Sequence, residues 1–334
     1  MTTILYPERM YPNDVEERAV FPPDATILMR DTGEMAELTD ADCAEVDGLM
    51  VFRQWVRAED IARMPKLRAI VRMGVGYDRI DRAAAAARGI VVCNVPDYGT
   101  TEVADHAMAL MMALRRGLLM HHDAQRAQPP AGWTANNSPL LRRMSSQVFG
   151  IVGLGRIGTA VALRAKAFGF DVVFFDPYRS NGSDLAIGVR RAPSLEALLA
   201  EADVLSLHTP HTPETAGMID AAALALLPKN AVVVSTARGT AIDIDALEAA
   251  LRSDHLAGAG LDVLPVEPPV EPIPGLLKAY RERAEWTIGR LIITPHSAFL
   301  TPEAYQDIRI KSAETMRAAL FSNRPQNVIA PDSY

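Results

Sequence analysis

The feature that most restricts how this chain can fold is an alternation, run through twice, of short β-branched stretches with longer helical ones. The first series comprises TILMR (26–30), GLMVF (48–52), LRAIVRM (67–73) and GIVVCNV (89–95), with helix-like stretches such as RAEDIARM and RIDRAAAAARG between them. The second runs through QVFGIVG, DVVFFD, ADVLSLH, NAVVVST and LAGAGLDV, spaced by amphipathic segments such as SLEALLAE and DIDALEAALRS, and ends on the strand LIITPH. Such alternation is the signature of βαβ units and a largely parallel sheet. Two sheets are therefore predicted, and 334 residues suffice for two domains, each with its own core. Between the series, TEVADHAMALMMALRRGLLMHHDAQR (101–126) reads as one helix capped near Thr100 or Thr101, too long for a simple crossover and suited to bridging the domains. A last helix, about TPEAYQDIRIKSAETMRAALF (301–321), lies where the chain can return to the first domain.

Composition narrows the function classes. A net charge of −7, with 22% charged residues and no basic stripe, offers no footprint for nucleic acid or an anionic membrane surface. No run of about 18 apolar residues occurs, and the N-terminus lacks a basic stretch followed by a long apolar one. Neither membrane spanning nor export is expected, and the chain reads as cytoplasmic. Its two cysteines, Cys43 and Cys93, fit buried thiols in a reducing compartment better than a disulfide framework.

At the start of the second series a strand runs into GLGRIGTA, so that Gly153, Gly155 and Gly158 form G-x-G-x-x-G between strand and helix. In a dinucleotide-binding turn the first glycine permits the tight turn, the second lets the backbone approach a pyrophosphate, and the third lets the helix pack close to the sheet. Asp176 stands eighteen positions beyond Gly158, at the end of DVVFFD, where a carboxylate reaches adenosine ribose hydroxyls. That carboxylate repels a 2′-phosphate. NAD is thus expected in preference to NADP, with Arg179 leaving dual use open.

Ligands bind open α/β sheets outside the carboxyl ends of the strands, and three such ends in the second series carry chemistry. STARG puts Arg238 just past one strand, GLDVLPVEPP puts Asp262 and Glu267 past the next, and TPHSAF puts His296 past the last. An arginine's planar fork matches a carboxylate bidentately and never loses its charge. An imidazole titrates near neutrality, and a neighbouring carboxylate favours its charged form. Each residue alone is ordinary. Together they make a coherent set for exchanging a hydride and a proton with a hydroxy acid.

With GLGRIG and Asp176, the stretches TARG, GLDVLPVEP and TPH stand in the order found in the D-isomer-specific 2-hydroxyacid dehydrogenase family, which the sequence resembles over nearly its whole length. The resemblance implies Arg238, Glu267 and His296 as the catalytic set, with Arg238 also holding the substrate carboxylate. It implies NAD contacts from Gly153, Gly155, Arg156, Ile157, Gly158, Asp176, His208, Thr209, Pro210, Thr215, Thr236 and Ala237, with Asp262 facing the nicotinamide amide. Substrate contacts are implied around Val75 and Gly76 in VRMGVGYDRID, and no metal is implied. The implied fold is α/β, with two Rossmann- or flavodoxin-like parallel-sheet domains and a cleft between them that closes over the reactants. Residues 1–103 plus 299–334 would form the substrate domain and 104–298 would bind NAD, with NVPDYGTTEVADHA as the hinge. Within the family, VALRAKAFGFDVVFFDPYRSNG and VVCNVP look most like the branch that includes the C-terminal-binding protein corepressors. Three readings stay open at this point: an NAD-dependent dehydrogenase acting on a 2-oxo or D-2-hydroxy acid, which leads; an NAD-sensing corepressor-like binding protein with incidental turnover; and a non-hydride NAD enzyme.

Some positions depart from the family pattern. Ser235 stands where members usually carry asparagine, and Thr240 replaces a second glycine after ARG. The segment 272–290 reads as an added amphipathic helix, and SAF follows His296 where the corepressors have AAW. His208 and His211 have a metal-like i, i+3 spacing but no cysteine or third histidine beside them. His121 and His122 read as favourable charges at a helix C-terminus, and His106 and His255 as structural. Met108, Met111, Met112, Leu118, Leu119 and Met120 give the helix 101–126 more apolar surface than one domain face needs, which predicts a two-fold homodimer. Apolar Val75, with Phe52, Trp55, Tyr98 and Phe299 in loops, predicts an aromatic pocket for small 2-oxo acids with uncharged side chains. Arg53 and the KAYRER segment are the candidates for a distal acid group.

Overall fold

The computed structural model describes residues 1–332. The chain divides into two compact units, Met1–Gly99 with the chain from Leu300 onward, and Thr100–Phe299.

In the first unit, β1 (Thr3–Tyr6), β2 (Thr26–Met29), β3 (Gly48–Val51), β4 (Ala69–Arg72) and β5 (Val91–Asn94) form a parallel sheet in the order β2-β1-β3-β4-β5. Every residue of β1 and β3 is buried, which is why these strands read as continuous apolar runs: parallel sheets are covered on both faces. The strand order reverses between β1 and β3. At that switch point the Glu8 carboxylate accepts hydrogen bonds from the amides of Phe52 (2.8 Å) and Arg53 (2.7 Å), tying the segment after β1 to the segment after β3.

The helix Pro302–Leu320 belongs to this unit and is fastened to the helix Val15–Val20 by a buried ion pair. Arg309 donates through Nε and Nη2 to the two oxygens of Glu17, at 2.9 and 2.6 Å, and its guanidinium lies 4.2 Å from the Tyr11 ring centroid. Glu17 is 0% exposed.

In the second unit, β6 (Val148–Val152), β7 (Asp171–Phe175), β8 (Arg190–Arg191), β9 (Val204–Leu207), β10 (Ala231–Ser235), β11 (Leu256–Leu261) and β12 (Leu291–Ile293) form a parallel sheet in the order β12-β11-β10-β9-β6-β7-β8. Successive residues of a strand point to opposite faces, and the core follows that period. Val173, Leu205 and Val233 join one apolar cluster, while Phe174, Val204, Val232 and Val234 join the other.

The stretch 101–126 is two helices, Thr100–Arg115 and Leu118–Arg126, rather than the single helix its apolar pattern predicts. Gly117 adopts a left-handed conformation at φ 59° and donates its amide to the Leu114 carbonyl, which closes the first helix. His121 and His122 lie in the middle of the second helix, five and four residues before its end at Arg126. The first helix buries Ala104, Ala107, Met108, Leu110, Met111 and Leu114 in its own unit's core, so the predicted apolar surplus shrinks to the exposed Leu118 and Leu119. The division of the chain falls at 99/100 and 299/300, a few residues from the expected 103/104 and 298/299.

Replacing Arg309 with methionine strands the Glu17 carboxylate in an apolar setting and should cost about 3–5 kcal/mol. Replacing both residues with methionine should recover part of it, because Glu16, which pairs with the same guanidinium, still loses its partner. Urea unfolding of the two variants reads the difference, and equal losses in both would contradict this account of the pair.

Candidate active site

Parallel pairing aligns the ends of three neighbouring strands of the second unit. Ser235 of β10 pairs with Leu261 of β11, and Leu261 pairs with Ile293 of β12. Adjacent strands lie about 4.8 Å apart, so the segments leaving these residues start side by side. Arg238 comes three residues past the first, Asp262 directly after the second, and His296 three residues past the third.

The segments are then locked together by backbone contact. A Cβ at Gly239 would stand 1.9 Å from the carbonyl carbon of Leu264, so only glycine lets the segment behind Arg238 lie against the one leading to Glu267. Glu267 folds back so that Oε1 accepts the Leu264 amide at 2.8 Å, leaving Oε2 to meet His296 Nδ1 at 2.6 Å. A carboxylate only accepts, so Nδ1 carries the hydrogen and Nε2 is the nitrogen left to exchange a proton. Burial by itself would raise the Glu267 carboxyl. The hydrogen bond and charge of His296, the Leu264 amide and the charge of Arg238 together hold it below the ordinary carboxylate value.

His296 is left-handed at φ 51°, a conformation that costs a non-glycine residue roughly 1–2 kcal/mol and persists only where neighbours dictate it. Asp262, 1% exposed, dictates it here. Its side chain accepts the Thr294 hydroxyl at 2.6 Å and the amides of Ser297 and Ala298 at 2.9 Å, and its carbonyl accepts the His296 amide at 2.7 Å. His106 joins this group, with Nε2 3.0 Å from Thr294 Oγ1. From the sequence His106 reads as structural, and Thr294 is not singled out. The Thr of TPH was the available signal, but its partners come from distant parts of the chain.

The glycine turn lies between β6 and the helix Arg156–Ala167. A Cβ at Gly158 would stand 2.1 Å from the Gly153 carbonyl oxygen, so the helix starts against the turn itself. That helix begins after Gly155 with no side-chain cap, leaving its first amides, those of Arg156 and Ile157 among them, to a ligand. Asp176 stands beside the turn, accepting the amides of Leu154 (2.8 Å) and Tyr178 (2.9 Å), with Arg179 Nε 3.8 Å away. The order of the sheet reverses between β6 and β9, and the residues after β9 complete this place. Thr209 Oγ1 and His208 Nδ1 are buried there without a hydrogen-bond partner, as is Thr236 Oγ1 just past β10. An uncapped helix terminus beside unsatisfied hydroxyls and a carboxylate fits a dinucleotide, with its phosphates and ribose hydroxyls. Burial pushes the His208 imidazole down to about 3, so it stays neutral, bonded through Nε2 to Ser206 Oγ at 2.9 Å. Thr215 bonds the Pro210 carbonyl at 2.7 Å and shapes the same loop. Ala237 is buried directly ahead of Arg238. His211 pairs with the Thr240 hydroxyl at 2.8 Å, giving that departure from glycine a partner. Among the described residues no group of three His, Cys, Asp or Glu is placed to hold a metal ion, and no helix is long and apolar enough to cross a membrane.

Val75 and Gly76 lie in the first unit, in the loop after β4, where Asn94 Nδ2 holds the Val75 carbonyl at 2.6 Å. Phe52 is buried in that unit with the guanidinium groups of Arg53 and Arg72 5.3 and 5.4 Å from its ring centroid, while Trp55 is half exposed with Arg79 over it. Within the 272–290 segment, the helix Gly275–Arg281 buries Leu276, Leu277 and Ala279 and exposes Lys278 and Arg281.

Because the folded state holds the Glu267 carboxyl below its ordinary value of 4.5, its contribution to stability is present above that value and is lost as pH falls through the lower, folded one. Urea unfolding of wild type and Glu267→Gln should therefore show a stability gap that is full near pH 6 and narrows below about pH 4.5. A gap that widened with acid would remove the charge pair from this account.

Comparison with known proteins adds a family. Residues 108–298 match the model for the D-isomer specific 2-hydroxyacid dehydrogenase, NAD binding domain. The D-3-phosphoglycerate dehydrogenase of Mycobacterium leprae is 36% identical over 313 residues, which cover 92% of this chain and 53% of that protein. The chain thus spans about half the length of the curated relatives it matches. Among solved structures, a glyoxylate reductase from Paecilomyes thermophila superposes with TM-score 0.85 at 28% identity, covering 98% of each chain. The D-lactate dehydrogenase from Aquifex aeolicus, complexed with NAD and lactic acid, does so with TM-score 0.80 at 28% identity, covering 97% of this chain and 96% of that one. These relatives are dehydrogenases and reductases, and they lend no support to the corepressor branch.

Proposed function

This chain belongs to the D-isomer specific 2-hydroxyacid dehydrogenase family, and on that premise we propose that it interconverts a 2-oxo acid and a D-2-hydroxy acid with NAD as partner. The observation that carries the reading is the His296 Nδ1 to Glu267 Oε2 contact at 2.6 Å, with Arg238 leaving the neighbouring strand. In the reducing direction Arg238 binds the substrate carboxylate through its planar fork and polarises the adjacent carbonyl. His296 Nε2 gives the proton to the oxo oxygen, and Glu267 orients the ring through Nδ1. The bound nicotinamide supplies or accepts the hydride. The helix amides after Gly155 would take the pyrophosphate, Asp176 the adenosine ribose, and the buried hydroxyls of Thr209 and Thr236 other polar groups of the cofactor. In the first unit, the loop bearing Val75 and Gly76 serves the substrate.

For substrates, the apolar Val75 side chain favours small 2-oxo acids with uncharged side chains. A second reading, a phosphorylated or dicarboxylic acid, is favoured by Arg53 and Arg72 flanking Phe52. Exposed Leu118 and Leu119, with Trp133 93% exposed farther along, support a two-fold homodimer. The two buried, unpaired cysteines suit a reducing compartment.

Nicotinamide absorbance decides these points. NADH with pyruvate, hydroxypyruvate or 4-methyl-2-oxopentanoate should outperform 3-phosphohydroxypyruvate and oxaloacetate in kcat/KM; the reverse order, lost selectively in Arg53→Ala, would establish the second reading. His296→Ala should lower turnover by about 100-fold to 10,000-fold with NADH binding kept. NADPH should be the poorer reductant, and Asp176→Ala should narrow that preference; equal use by the wild type overturns the role of Asp176. Light scattering at micromolar concentration should return the dimer mass, and a monomer mass would refute the dimer.

A further inference from the structure

The hydroxyl of Thr294 has one hydrogen. At 2.6 Å from Asp262 Oδ1 it donates there, since a buried carboxylate can only accept. Its lone pair then faces His106 Nε2 at 3.0 Å, so that nitrogen carries a hydrogen. The bonds run in one direction, from His106 to Thr294 to Asp262, and Asp262 passes the constraint to the amides of Ser297 and Ala298. These two amides immediately follow His296, the residue held in the left-handed region.

We propose that His106 and Thr294 are positioning residues for the proton-transfer histidine, forming a strap from the helix Thr100–Arg115 through Asp262 to the 294–298 loop. This rests on the reading of His296 given above. The helix supplies a fixed anchor because Ala107, Met108 and Met111 beside His106 are buried in the core. His106 Nε2 is also 3.7 Å from Asp262 Oδ1, so the carboxylate is drawn toward this side of the loop by every group the strap brings. Without the strap Thr294 is free to rotate, Asp262 loses a donor, and the loop can relax from the left-handed conformation that aims His296 Nε2. His106 and Thr294 are not among the groups assigned above to substrate or NADH. The loss should fall on kcat, whereas a purely structural role would lower stability without splitting kcat from KM.

The test combines ring-nitrogen NMR of the wild type with Thr294→Val, Thr294→Ser and His106→Phe. In the wild type, His106 should be found with its hydrogen on Nε2. Thr294→Val and His106→Phe should each lower kcat about tenfold and speed amide exchange at Ser297 and Ala298 by a similar factor, the worth of one neutral hydrogen bond. KM for the oxo acid and for NADH should stay within about twofold, and Thr294→Ser, which keeps the hydroxyl, should restore kcat and exchange. A neutral His106 with its hydrogen on Nδ1, an unchanged kcat and exchange in Thr294→Val, or a Thr294→Ser variant as impaired as the valine one would each overturn the strap. If Thr294→Val does not fold, His106→Phe carries the same readouts. If the wild type reduces no 2-oxo acid, the reading of the reaction fails, and the tautomer and the exchange rates still decide the strap.

Discussion

Ser235, Leu261 and Ile293 lie in one row across three hydrogen-bonded parallel strands, and the candidate catalytic groups depend on that row. Parallel strands all present their carboxyl ends on one edge of the sheet, so groups separated by nearly sixty residues of chain between Arg238 and His296 leave the sheet side by side. Apolar residues covering both faces keep the row rigid. What remains for the loops is short-range work. Gly239 brings two backbones into contact, Glu267 folds back onto the Leu264 amide, and the Asp262 carboxylate gathers the loop that holds His296.

The same principle organises the cofactor turn. The switch in strand order between β6 and β9 opens a place at the edge of the sheet, and the close start of the helix at Gly158 presents uncapped amides to it. Asp176 does two things in this arrangement. It accepts the Leu154 amide inside the turn and so helps to shape the loop, while its position beyond β7 is the one from which the proposed reading has it meet ribose hydroxyls. Changing it should be felt in the turn itself.

The first unit repeats the architecture with a different switch point, between β1 and β3, and uses an ionic fastening in place of a glycine one. Glu8 ties the Phe52 and Arg53 amides to the segment after β1. Arg309 and Glu17 join the C-terminal helix to the first helix across 292 residues of sequence. This long-range pair explains why the chain's last helix is part of a unit that its first hundred residues begin.

The sequence by itself determined the two parallel sheets, the glycine turn with Asp176 beyond it, and the placing of Arg238, Asp262, Glu267 and His296 past strand ends, because each depends on local pattern: apolar period, glycine spacing, and position at a strand's end. The break of the 101–126 helix at Gly117 was less legible, since the apolar period continues through it and only the backbone conformation of one glycine interrupts it. Only the tertiary structure decided which way side chains turn. The family resemblance implies that Asp262 faces the nicotinamide amide, and only the fold shows that its carboxylate is also engaged by Thr294, Ser297 and Ala298, groups more than thirty residues away. His106 looked like one more core histidine until the fold set its ring against Thr294. The physical reason is that a hydrogen bond is fixed by distance and direction between two atoms, and no periodicity within one segment records what another segment brings to it.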